Sequence, residues 1–67
     1  MSEFYISRKL SERDHPDIFG MAEAGMTMDD VYAYAQRPKS EVFDYVRRWL
    51  PQTYEEFVRN AEKKAQG

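Results

Sequence analysis

Asp14-His15-Pro16-Asp17 is where residue types in this 67-residue chain crowd together as they do around a metal ion or a general base. An imidazole between two carboxylates can hold a cation or move a proton near neutral pH. The chemistry stops there. This is the only histidine, and the chain has no Cys, so neither a multi-histidine site nor a thiolate site can be completed. A lone histidine also has no nucleophile to serve. Helix-start chemistry accounts for the same residues, with Asp14 as a cap and Pro16 in a first turn. The acid pairs Asp29-Asp30 and Glu55-Glu56 likewise fall in first turns, where carboxylates complement the helix dipole. Gly20 and Gly25 are helix punctuation and Gly67 is the last residue, so no phosphate-cradling loop exists. The expectation is no catalytic site, no metal and no cofactor: not an enzyme.

Recognition is the chemistry that remains. The chain carries five Tyr, four Phe and one Trp, and most of them fall on apolar stripes. Tyr5 and Tyr34 fall off the stripes and are contact candidates. Phe43 and Trp49 sit at the wide edges of a stripe and have the chemistry of interface anchors. The formal net charge is −2 and is unevenly spread. Residues 14–36 carry Asp14, Asp17, Glu23, Asp29 and Asp30 with no Lys or Arg. Residues 37–50 carry Arg37, Lys39, Arg47 and Arg48 against Glu41 and Asp44. An acidic first half beside a basic hinge is a dipolar surface, unlike the uniformly basic one of a nucleic-acid binder.

Short helices must position these groups. Pro16 to Ala24 reads as a helix ended by Gly25, the residue type that suits a left-handed stop; Gly20 weakens it by about 1 kcal/mol relative to Ala. Thr27 caps the next helix, with Asp30 completing a capping box and Met28, Val31, Tyr32 and Ala35 on one face. Arg37-Pro38-Lys39 is a hinge. Ser40 is the expected cap of a third helix, which Pro51 stops. Its wide apolar face is Val42, Phe43, Tyr45, Val46, Trp49 and Leu50, and Asp44 is placed to pair with Arg47 and Arg48. Thr53-Tyr54-Glu55-Glu56 reads as the capping box of a last helix whose face is Tyr54, Phe57, Val58, Ala61 and Ala65. Lys63 and Lys64 in its last turn suit the dipole. Glu3 to Leu10 alternates like a strand at Phe4 and Ile6 but spaces Ile6 and Leu10 like a helix; helix or extended arm is expected, with no second strand to pair.

The fold class expected is therefore all-α, a compact bundle of four to five short helices in one domain over residues 1–67, containing a helical hairpin. So short a chain buries only about 60% of the surface its unfolded form exposes. With disulfides and metals excluded, a partner chain is the reinforcement left. No apolar run approaches a signal-peptide core or a membrane span, so a soluble, cytoplasmic protein without a membrane partner is expected.

Two families resemble the hairpin. Thr27-Met28-Asp29-Asp30-Val31-Tyr32-Ala33-Tyr34-Ala35 with Val42 and Val46 resembles the helix-turn-helix of lactose-repressor-class regulators, in which a Thr-capped helix precedes a recognition helix with spaced valines. Tyr32, Gln36 and Arg37-Pro38 stand where that family keeps a small residue, a Gly, and an apolar residue followed by a cap. The resemblance implies DNA contact, here through Arg37, Lys39, Arg47 and Arg48, although Glu41 and Asp44 put the wrong charge near the start of a groove-entering helix. Glu23-Ala24-Gly25-Met26-Thr27-Met28-Asp29-Asp30-Val31 with Tyr34 resembles the SinI/SinR-type dimerisation hairpin, which implies Met26, Val31 and Tyr34 as interface residues.

The residues favour a small regulatory protein–protein interaction module, which acts by binding or occluding a partner or by forming a homodimer. Its contact residues are expected to be Asp29, Asp30, Tyr34, Phe43 and Trp49. The acidic half suits a partner with a basic face, such as a DNA-binding protein. A degenerate helix-turn-helix transcriptional regulator is the alternative.

Overall fold

A computed structural model describes residues 9–66. Four α-helices follow one short 3-10 turn at Glu12–Asp14: α1 (His15–Glu23), α2 (Met28–Ala35), α3 (Lys39–Trp49) and α4 (Pro51–Gln66). No strand occurs among the described residues. The all-α small bundle expected from the apolar periodicity is what forms.

A narrow stripe makes the core. Each of the first three helices buries an i,i+4 pair: Ile18 and Ala22 from α1, Val31 and Ala35 from α2, Val42 and Val46 from α3. That spacing puts both members on one face, one turn apart. Phe57 of α4 is fully buried, and Leu10 and Leu50 close the ends of the cluster. The pairs are small or β-branched, and the tyrosines Tyr32, Tyr34, Tyr45 and Tyr54 pack at the margins of the core.

Local chemistry sets the boundaries. Gly25 adopts φ 82°, and a full left-handed stop forms around it, with the Gly25 N–H donating to Ala22 O at 3.1 Å and the Met26 N–H to Met21 O at 3.0 Å. The α2 capping box forms as the sequence predicts, the Thr27 N–H donating to Asp30 Oδ2 at 3.0 Å. The C-cap of α2 is Gln36, left-handed at φ 54° without being glycine.

Three caps differ from the sequence expectation. Asp14 is the N-cap residue of α1, as expected, but its side chain makes no capping bond there; its carboxylate reaches back to the Ser11 N–H at 3.0 Å and closes a capping box on the 3-10 turn. Ser40 lies inside α3, which begins at Lys39 with Pro38 as its cap residue. The cause is the Pro38 carbonyl, which already accepts the first helical bond, from Val42 N–H at 3.1 Å. Likewise Thr53 lies inside α4, which begins at Pro51. Pro51 stops α3 because it has no N–H to donate, and the same property suits it to a first helical position. Only Leu50 separates the two helices: its N–H closes α3 on Val46 O at 2.8 Å and its carbonyl opens α4 by accepting from Tyr54 N–H at 2.9 Å.

Asn60 locks α4 onto the end of α1. Its buried Nδ2 donates to Ala22 O at 3.0 Å and to Met26 O at 2.8 Å, two carbonyls that the helix stop exposes. No helix among the described residues is long and apolar enough to cross a membrane.

Candidate protein-interaction surface

Two i,i+4 ring pairs on different helices meet to form an aromatic row. On α1, His15 and Phe19 stand edge to face with centroids 6.2 Å apart. On α3, Tyr45 and Trp49 stand 6.3 Å apart, tilted by 39°. The pairs join in the middle, where His15 and Tyr45 have centroids 5.8 Å apart and share a hydrogen bond of 2.8 Å between Nε2 and the phenol oxygen. The inner rings are half-buried; the outer ones are not, Phe19 being 43% and Trp49 59% exposed. Burial, with Asp14 and Glu12 nearby, pushes the Tyr45 phenol above its ordinary pKa, so it is a neutral hydroxyl across the physiological range.

The row ends in charge. The Arg48 guanidinium lies over the Trp49 ring at 5.7 Å, while Glu23 is exposed four residues after Phe19 on α1. Beside Trp49 a groove of about 290 Å³ opens, lined by Leu10, Tyr45 and Trp49 and by the charged side chains of Lys9, Glu41, Asp44 and Arg48.

The contact residues expected from sequence do not share one surface. Trp49 belongs to the row. Phe43 lies on the opposite flank of α3, against the Tyr54 ring of α4 at 5.4 Å and 86°, with Arg47 over both rings at 5.4 and 5.6 Å. It borders a second, more apolar groove with Met28, Tyr32, Phe57, Val58 and Ala61. Asp29 is exposed in the first turn of α2. Asp30 is committed to the capping box. Tyr34 is an internal latch: its hydroxyl donates to Asp17 Oδ2 at 2.9 Å and to Asp14 Oδ1 at 3.2 Å. Burial and those carboxylates raise its pKa well above 10.0. Tyr5 lies outside the described residues. Of the dimerisation-hairpin candidates, Met26 is exposed, but Val31 is fully buried within the chain and has no surface to offer.

The basic residues are engaged as well. Arg37 forms a bidentate pair with Glu41, Nε to Oε2 at 2.9 Å and Nη2 to Oε1 at 3.0 Å. That hydrogen bonding holds the Glu41 carboxyl below its ordinary pKa. Lys39 Nζ lies over the Tyr32 ring at 5.7 Å. Arg47 and Arg48 turn to rings rather than to Asp44, the partner their spacing suggests, because aromatic faces lie within reach and a solvated carboxylate offers little more than water does. Among the described residues no group of three or more His, Cys, Asp or Glu side chains is arranged to hold a metal ion; His15 spends its Nε2 on Tyr45.

Sequence reasoning passed over His15, Phe19 and Tyr45 as contact residues. The i,i+4 spacing of each ring pair was there to be read; their meeting across two helices was not.

Comparison with known proteins finds no matching family model, no matching curated protein and no matching solved structure.

Proposed function

We infer that this chain is a small regulatory protein–protein interaction module that works by covering a partner's surface, with the aromatic row as its contact face. The observation that carries this reading is Trp49, 59% exposed on a domain whose buried core, among the described residues, holds no side chain larger than Phe57. An exposed indole at the end of a helix, backed by a second ring and flanked by an arginine, has the residue chemistry of an interface hot spot. A chain that leaves more than half of its largest apolar side chain in water gains correspondingly little in folding from it. The acidic residues Asp17, Glu23 and Asp29 are exposed on α1 and α2, and favour a partner with a basic face, a DNA-binding protein being one.

Direct DNA contact is weaker support for the same residues. Arg37 is neutralised by Glu41, and Glu41 sits in the first turn of α3, the end that would approach the groove. Capture of binding partners by the tagged chain from its native host, with and without nuclease, separates the two. A nuclease-resistant protein partner that is lost on Trp49→Ala, while the fold persists, is the expected result. Capture that disappears with nuclease and with Arg47→Ala/Arg48→Ala would establish the DNA reading instead.

A further inference from the structure

We propose that a second copy of this chain covers the aromatic row, in a twofold-symmetric contact that seats Phe19 of each copy in the groove beside Trp49 of the other. The proposal rests on the row being a binding face and names an occupant for it.

The row is complementary to itself when reversed. One end offers a projecting ring, Phe19, on α1. The other offers a recess of about 290 Å³, room for one aromatic side chain, lined by Leu10, Tyr45 and Trp49 and also by Lys9, Arg48, Glu41 and Asp44. The charges reverse in the same sense. Helix α1 carries Asp17 and Glu23 and no Lys or Arg, and Glu23 lies one turn beyond Phe19 on its face. At the other end, in the last turn of α3, Arg48 lies over the Trp49 ring. Laid antiparallel about an axis through the His15–Tyr45 contact, two rows bring Phe19 to the recess and Glu23 to Arg48, twice. That is an isologous interface, which closes at two copies.

Size sets the strength. A stable interface takes about 800 Å² from each partner, against a total accessible surface here of 4958 Å². Four rings and their flanks supply less than that, so the dimer is a weak one, dissociating at about micromolar concentrations. Such a dimer leaves the row open to competition by a different partner.

Sedimentation equilibrium of the pure chain tests this. The mass should rise from monomer to dimer over roughly 1 to 1000 micromolar and stop there. Glu23→Arg and Arg48→Glu, both at exposed positions, each set like charges opposite one another twice and should weaken the dimer about tenfold. Mixed in equal amounts, the two variants should recover it as a heterodimer. One of its two charge contacts is then the original Glu23–Arg48 pair, and the other is the same pair with both signs exchanged. Phe19→Ala should weaken self-association roughly a hundredfold with the helical circular dichroism unchanged. A monomer throughout the range, a mixture no better than its components, a Phe19→Ala variant that dimerises normally, or growth beyond two copies would each overturn the proposal. A chain that stays monomeric yet loses its captured partner on Trp49→Ala defeats the dimer and leaves the binding module standing. A dimer whose captured partner is indifferent to Trp49→Ala does the reverse.

Discussion

Phe43 and Trp49 share helix α3 and the same expected role, yet their surroundings differ in almost every respect. Phe43 is half-buried, pinned edge to face on Tyr54 under Arg47. Trp49 stands mostly in water with one tilted ring behind it. The difference comes from the corner at Leu50. Because α4 starts at Pro51 and folds back along the Phe43 flank, that flank acquires a neighbouring helix, while Trp49, at the corner itself, stays 59% exposed. A wide apolar stripe is therefore two half-stripes, one assigned to the molecule and one left to a partner. Trp49, not Phe43, is the clean probe of binding.

The comparison breaks first at its foundation. Phe57 is fully buried beneath the Phe43 flank, and Phe57→Ala should cost about 3–5 kcal/mol. For a domain whose whole stability is of the order of 5 kcal/mol, that leaves about 0–2 kcal/mol, so urea titration should find the midpoint shifted close to zero denaturant. A cooperative, near-native transition would mean the core lies elsewhere.

The comparison is tested most directly by truncating its two subjects. Phe43→Ala should cost about 1–2 kcal/mol through lost ring contact and partial burial. Trp49→Ala should stay within about 0.5 kcal/mol of the parent, as substitutions at exposed positions do. Equal shifts in the denaturation midpoint would erase the distinction between the flanks. On the acidic side, Asp29→Asn is the fair test of steering, whereas any change at Asp30 also removes a cap worth about 1 kcal/mol.

The smallest effect lies at high pH. The Tyr34 pKa is raised in the folded chain above 10.0 by burial and by its bonds to Asp17 and Asp14. A raised phenol pKa stabilises the fold while both states are neutral, and that contribution drains away as pH rises past the unfolded value. The melting temperature should therefore fall between about pH 9.5 and pH 11, and Tyr34→Phe should flatten that fall. Burial also raises Tyr32 and Tyr45, so part of the slope should persist. An unchanged slope in Tyr34→Phe would remove the latch.

The elements were legible because their signals are local. Gly25, the Thr27–Asp30 box and the Pro51 break act over one turn of chain, and each operates where the residues put it. Where two signals overlapped, the sequence order misled. Ser40 and Thr53 are good caps in isolation, but Pro38 and Pro51 stand ahead of them and start each helix earlier. Asp14 had two uses for its carboxylate within a few residues, and the 3-10 turn took it.

Sequence alone determined the helical class, the core pairs Val31–Ala35 and Val42–Val46, and the uneven charge, all of which follow from residue type and a helical period of about 3.6. Tertiary structure alone decided which aromatics are free. Whether Tyr34 is a contact residue or a latch, and whether Trp49 is core or surface, depends on which helix lies across it. His15 became the centre of a ring row only because Tyr45, far along the chain, came within 2.8 Å of it. Periodicity places a side chain on a face of its own helix; only the packing of the other helices says whether that face meets protein or water.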